Sequence, residues 1–309
     1  MKRYLWYGFF AIIVLIVATS VYYYLFPEAL FRMATGAQRR AADLAQKEVQ
    51  VGDHKIVYLE GGKGEPVLLL HGFGGNKDHW TDFARHMKGF HLVIPDIPGF
   101  GESSQVPEDR YDVDDQVERI AGFAEALKLD KFHIVGNSMG GALSAVFAAK
   151  HPDRILTVTL MDTAGVPYEK KSELVMELEK GKNPLLEGSD AGYDRLMELI
   201  FVKKPQIPEP FRKILAADWI AHREFNAKIW NDWQPHRFSL EPVLPMIQAP
   251  VLILWGDSDK MLDVGSVAFL EQNLKNSRTV ILKDTGHCPM VEKPEETAAA
   301  YVRFLKEKG

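Results

Sequence analysis

Gly136-Asn137-Ser138-Met139-Gly140 lies between an apolar run, Phe132-His133-Ile134-Val135, and a small-residue helical pattern from Ala142 to Ala149. A serine with glycines two residues before and two after it, between a strand and a helix, has the pattern of a nucleophile elbow. The chain doubles back sharply in such a turn, so side chains at the two glycine positions would strike backbone. The turn lifts the hydroxyl out of the sheet and aims the next N–H at the reaction centre. A glycine-rich turn that merely packs a helix on a sheet would need no partner residues downstream. This chain has them.

A serine hydroxyl is a poor nucleophile until a base takes its proton. His287 is the candidate base, in Asp284-Thr285-Gly286-His287-Cys288-Pro289, after the apolar strand Thr279 to Leu282. The chain has ten histidines. His54, His86, His91, His133, His151, His222 and His236 fall in strands, helices or polar loops and read as structural or exposed. The acid that orients the imidazole is expected in Gly256-Asp257-Ser258-Asp259, after the buried-strand run Val251 to Trp255. Asp259 is the choice, Asp257 is the near competitor, and Asp263 is weaker because it is placed to cap the next helix. Acyl transfer also needs donors for the developing oxyanion. The N–H of Met139 is one. The other is assigned to Phe73, in Gly72-Phe73-Gly74-Gly75 after Val67-Leu68-Leu69-Leu70-His71. No Gly-Lys-Ser/Thr follows, so this is not a phosphate loop. His71 reads as a hydrogen-bonding support.

His71-Gly72-Phe73-Gly74-Gly75, Asp96-Ile97-Pro98-Gly99-Phe100-Gly101-Glu102-Ser103, Gly136 to Gly141, Trp255 to Asp259 and Gly286-His287 are serial landmarks that resemble those of α/β-hydrolases. The order Ser138, Asp259, His287 matches that family. The resemblance covers roughly residues 50–309. With its N-terminal segment, the chain looks most like membrane-bound monoacylglycerol lipases and bacterial membrane-anchored phospholipases A. The resemblance implies a serine hydrolase that forms an acyl-enzyme and uses no metal or organic cofactor. Carbon–carbon bond hydrolases share the core motifs, and Asn137 beside the serine also occurs in them. A ligand receptor on a hydrolase scaffold, with little turnover, is the reading from a different class.

A net charge of −5 gives no basic field for nucleic acid. The lone cysteine, Cys288, excludes an intrachain disulfide and reads as a small buried residue beside His287. Leu5 through Phe26 contain no charge and as a helix would span about 33 Å, enough for a bilayer core. Trp6, Tyr7 and Tyr22 to Tyr24 suit the two interfaces. The run continues past the passable cleavage site at Ala18-Thr19-Ser20, which favours an uncleaved anchor over a signal peptide. Lys2 and Arg3 precede it and suggest a cytoplasmic start, an asymmetry weakened by Arg32, Arg39 and Arg40 after it; the expected location is a single-pass one in a bacterial inner membrane, with the catalytic domain on the periplasmic side if the source is Gram-negative. A homodimer through this helix is open, although the span has no G-x-x-x-G. The partner is a membrane lipid or acylglycerol.

The domain expectations are an anchor at 1–27 and an amphipathic juxtamembrane helix at 28–48, with Arg32, Arg39 and Arg40 set to face lipid phosphates. An α/β core at 49–164 and 249–309 follows, with a helical cap at 165–248. Strands are expected at Val49–Val51, Lys55–Leu59, Val67–His71, Leu92–Pro95, Lys131–Val135, Ile155–Met161, Val251–Trp255 and Thr279–Leu282. Helices are expected at His79–Met87, Val113–Leu127, Met139–Lys150, Val264–Leu274 and Glu295–Lys306. Their alternation predicts the α/β-hydrolase arrangement, a mostly parallel sheet covered on both faces. The cap carries Leu174, Leu196, Leu199, Trp219, Phe225, Trp230 and Trp233, as acyl-pocket lining or as packing.

Overall fold

The apolar runs become the strands of one eight-stranded sheet, ordered β1-β2-β4-β3-β5-β6-β7-β8, in a computed structural model that describes residues 6–7, 9–10, 23–233 and 238–307. The strands are Leu44–Val51 (β1), His54–Gly62 (β2), Glu65–Leu70 (β3), Phe90–Pro95 (β4), Phe132–Asn137 (β5), Ile155–Met161 (β6), Val251–Gly256 (β7) and Ser277–Leu282 (β8). β1 and β2 form an antiparallel hairpin, and β2 pairs antiparallel with β4; the other pairs are parallel. Every residue of β5 and β7 is buried, as expected for central strands covered on both faces.

The longer helices are Pro27–Ala41 (α1), Val113–Ala126 (α2), Met139–Lys150 (α3), Glu173–Glu179 (α4), Asp190–Ile200 (α5), Glu209–Ala221 (α6), Arg223–Trp233 (α7), Ser266–Asn273 (α8) and Pro294–Lys306 (α9). α2 starts where the Asp112 carboxylate accepts the Asp115 N–H at 3.0 Å. It buries Val117, Ile120 and Phe123 in a core shared with α3. α9 buries Ala298, Tyr301 and Phe304 in a second core, with Trp80 and Phe83. These two cores hold the sheet between them. The loops after the parallel strands consequently gather at the strands' C-terminal edge, where ligands bind in open α/β sheets. The cap helices α4 to α7 fill the insertion between β6 and β7.

Two N-terminal expectations need correction. The amphipathic helix expected over 28–48 ends at Ala41, and β1 begins at Leu44 rather than Val49. Residues 44–48 contain good helix formers, but the β2 partner supplies a ladder from Leu44↔Gly61 to Val51↔His54, which overrides local propensity. Arg39 does not face outward: its Nε and Nη2 donate to the Asp78 carboxylate at 2.6 and 2.7 Å. Phe31 of α1 packs edge-on against Phe211 of the cap, 5.5 Å between centroids. The helix expected at His79–Met87 is a 3₁₀ turn, Lys77–Trp80, and a short helix, Thr81–Ala84, started by the Asn76 side chain on the Asp78 N–H.

Among the described residues no helix is long and apolar enough to cross a membrane. Most of the span expected at 5–26, including all of 11–22, lies outside the described residues, and with it any homodimer through that helix; His236 also lies outside them.

Candidate active site

Ser138 sits between β5 and α3 with φ +55° and ψ −117°. Few side chains are found in that region, and its cost persists only where surrounding structure imposes it. Here the turn is pinned from both sides: the Ser138 N–H donates to the Met161 carbonyl at 2.9 Å, and its own carbonyl accepts from Ala164 at 3.1 Å. The flanking glycines are required by close approach. A Cβ on Gly136 would lie 2.0 Å from the Gly140 carbonyl oxygen, and one on Gly140 would lie 2.4 Å from that of Leu70. Met139 is the first residue of α3, so its N–H has no acceptor within the helix.

The loops after β7 and β8 bring Asp259 and His287 together. His287 Nδ1 lies 2.8 Å from Asp259 Oδ2. Asp259 Oδ1 accepts the N–H groups of Met261 and Leu262 at 2.7 and 3.1 Å, so the carboxylate is fixed in rotation and its charge is solvated by backbone. With Nδ1–H given to Asp259, the Nε2 lone pair is the basic one. Asp257 is used otherwise: Oδ1 accepts from Ser258 Oγ at 2.9 Å and from the Thr285 N–H at 3.5 Å, which is turn chemistry. Asp263 does not cap the next helix through its side chain, because Oδ2 accepts the Lys170 N–H at 3.2 Å.

Asn137 joins the serine turn to the histidine loop. Its Nδ2 donates to the His287 carbonyl at 2.9 Å, and its Oδ1 lies 3.6 Å from Cys288 Sγ. Cys288 is buried, and burial pushes its thiol well above the ordinary value, which makes it inert. Glu292 holds the same loop: its carboxylate accepts the Gly286 N–H at 2.8 Å and the Lys203 N–H at 2.6 Å. The sequence reading missed it, and a glutamate in a short helix offers no signal for that role.

The loop after β3 reaches the serine, since a Cβ on Gly72 would lie 3.1 Å from Ser138 Cβ. Phe73 in this loop packs on Phe100 and, across to the cap, on Trp230 at 5.5 and 5.4 Å. Two of the cap aromatics expected as pocket or packing thus hold the cap on the Phe73 loop, Trp233 stacking at 6.4 Å. A cleft of about 360 Å³ within the cap is lined by Glu177, Lys180, Lys182, Glu187, Ala191 and Arg195, a charged surface unsuited to an acyl chain. Behind the loop, buried Lys77 Nζ bridges Asp96 and Glu102 at 2.8 Å each.

His71 ties the loop after β3 to the one after β4. It is fully buried, its Nδ1–H donates to the Gly72 carbonyl at 2.8 Å, and its Nε2 accepts the Ile97 N–H at 2.9 Å. Burial pushes its pKa down to about 3. The unfolded imidazole titrates near the ordinary histidine value of 6.5, so between these values the folded state binds fewer protons than the unfolded one. The resulting stability is fully present above about pH 6.5 and is lost as pH falls toward 3. Between pH 7 and pH 5 the wild type is expected to lose about 2 kcal/mol more than His71→Gln, read from urea midpoints. His79 and His133, also pushed down by burial, remain in that variant and give it a slope of the same sign. Equal slopes would show that His71 does not titrate on unfolding.

Asp162, at the end of β6, is the remaining site group the sequence reading did not single out. With Asp259 and His287 it forms the set of possible metal-ligating side chains found among the described residues, atoms within 4.8 Å of one another. His287 and Asp259 are already bonded to each other there, so a cation would have to break that bond.

The chain matches the alpha/beta hydrolase fold family over residues 65–204 and 211–294. Lipase 1 of Psychrobacter immobilis is 34% identical over 273 residues, 86% of each chain. The monoacylglycerol lipase abhd6-B of Xenopus laevis is 33% identical over 309 residues, 95% of this chain and 92% of its own. Among solved structures, a membrane phospholipase A described as a novel bacterial virulence factor is 41% identical, with a TM-score of 0.90, covering 100% of this chain and 99% of that one.

Proposed function

We propose, since the chain belongs to the α/β-hydrolase family, that it is a serine ester hydrolase acting on acylglycerols or glycerophospholipids at a bilayer to which its N-terminal segment tethers it. The observation that carries the reading is the Ser138 turn at φ +55° beside a loop whose His287 is held by Asp259 at 2.8 Å. Ser138 Oγ attacks the ester carbonyl carbon while His287 Nε2 takes its proton. The N–H groups of Met139 and Phe73 stabilise the oxyanion. Collapse breaks the ester C–O bond, and the alcohol leaves with the proton returned by His287. Water, activated by the same imidazole, then releases the fatty acid and restores Ser138.

The lipid substrate rests on two supports. The three relatives are named for lipid acyl esters, and all match most of this chain. Among the described residues, eight of thirteen exposed large hydrophobics, from Trp6 to Met33, lie in the N-terminal stretch, an apolar surface suited to lipid. A carbon–carbon hydrolase of a soluble diketone is the second reading; such a substrate gives no reason for an anchor.

A fluorophosphonate is expected to label Ser138 rapidly and one-to-one, and the labelled protein to release no fatty acid from lipid. Absent labelling with ligand-dependent capture of a partner would mark a receptor instead. The tether makes a separate prediction. Deleting residues 1–26 is expected to leave hydrolysis of a soluble short-chain ester within about twofold but to lower bilayer-lipid hydrolysis at least about tenfold, through lost local concentration. Equal losses on both substrates would remove the anchoring role. With Lys2 and Arg3 inside, protease added to intact spheroplasts should digest the domain; protection would reverse the topology.

A further inference from the structure

Asp162 has φ +45°, a conformation that aspartate tolerates better than most residues, and its side chain is fully buried. Its N–H donates to the Leu254 carbonyl at 3.0 Å, which locks the end of β6 to β7. Oδ1 accepts the Gly256 N–H at 2.9 Å. Oδ2 receives no N–H or O–H from the described residues. The carboxyls of Asp162 and Asp259 bring oxygens within 4.8 Å of each other. The other ionisable groups around it are His287, Cys288 and Glu292, from the loop after β8 and the short helix that follows. Ionising both of two buried carboxyls this close is disfavoured by burial and by like-charge repulsion. The charge belongs on the one with more donors. Asp259 has three, from Met261, Leu262 and His287, whereas Asp162 has one.

We propose that Asp162 is a neutral carboxylic acid whose Oδ2 proton is donated to Asp259, making it a positioning residue that holds the Asp259 carboxylate against His287. The role rests on the catalytic reading above; the protonation state does not. Burial and the neighbouring Asp259 both push the Asp162 carboxyl well above the ordinary range, in agreement with the donor count. The proton also resolves the orphaned oxygen: Oδ2 becomes a donor, and Asp259 supplies the acceptor. The result is a three-member chain, Asp162 O–H to Asp259 to His287 Nδ1–H, in which each group has one role and the reacting Nε2 lies at the far end. Such a chain keeps Asp259 from turning toward another donor when the imidazole becomes charged.

The test is an infrared difference spectrum of the full-length wild type against Asp162→Asn at pH 7.5. One protonated-carboxyl C=O band is expected in the wild type and absent in the variant. No difference band would overturn the proposal, whether or not the protein hydrolyses esters. Kinetics on a short-chain ester supply the second readout. Asp162→Ala removes the donor and is expected to lower kcat about tenfold with KM within about twofold, while Asp162→Asn, whose amide reproduces both hydrogen bonds, recovers most of that loss. An ionised Asp162 predicts the reverse order of harm in Asn, and moves the acid limb of its pH profile down by about one unit by removing a negative charge facing the imidazole. If Asp162→Asn does not fold, Asp259→Asn serves: the band should shift in frequency as the acceptor changes from a carboxylate to an amide, and an unchanged band would refute the hydrogen bond between the two side chains.

Discussion

Ser138→Ala is expected to lower ester turnover by about 10⁴–10⁶-fold while leaving thermal and urea unfolding unchanged. The loss is large because in the proposed mechanism Oγ forms the acyl bond itself, and neither the histidine nor the oxyanion donors would substitute for it. The fold should be indifferent because alanine keeps the Cβ that already stands at φ +55°. Ser138→Gly separates the two effects further. Glycine adopts that φ without penalty, so this variant is expected to be equally inactive yet more stable by about 1 kcal/mol. Retention of more than a tenth of the wild-type kcat in Ser138→Ala would move the nucleophile elsewhere. A loss of stability in Ser138→Gly would show that the turn stores no strain.

How much of this was legible from residues alone depended on how local the cause was. The buried strands were legible because central strands of a covered parallel sheet are continuous apolar runs; β6 spans Ile155–Met161 in both readings. The α3 helix, Met139–Lys150, was legible because its start is set by the serine turn and its small residues admit close packing. Gly136 and Gly140 announced the turn because backbone comes within 2.4 Å of where each Cβ would be. The start of β1 was not legible. Leu44 to Glu48 favour a helix locally, and their strand exists only because β2 lies opposite. Arg39 was misplaced for the same reason: its partner, Asp78, is thirty-nine residues away.

The groups around the proposed site divide in the same way. Ser138, Asp259 and His287 of the proposed site were open to a sequence reading because each lies in a glycine-containing loop directly after an apolar strand run, and their order on the chain is informative. Asp162, Glu292 and the Lys77–Asp96 pair could not. Their importance comes from what surrounds them: a second carboxyl, two backbone N–H groups, a buried opposite charge. Burial of a charged or acidic group is a property of the fold, and no spacing rule reports it. Asn137 shows the limit from the other side. Its place beside the serine suggested chemistry, but its bonds to the Met161 and His287 carbonyls show a clamp.

The choice between two aspartates two residues apart gives the other large effect. Asp259→Asn is expected to reduce kcat/KM on a short-chain ester by about 10²–10⁴-fold, and Asp257→Asn by less than about threefold. Asparagine at 259 loses the charge that stabilises the imidazolium. Its amide can also turn its NH₂ toward His287 Nδ1, which would place the ring proton on Nε2 and remove the base. Asp257 offers no such lever. Its Oδ1 accepts from Ser258 Oγ and the Thr285 N–H, and an amide oxygen can accept both. The contrast is informative because the two substitutions are chemically identical and share one loop, so a general disturbance of that loop would harm both. Circular dichroism and unfolding midpoints for each variant check that the fold is kept. Equal impairment would mean that the loop, not the carboxylate, sets the rate, and the reverse ranking would assign the acid to Asp257.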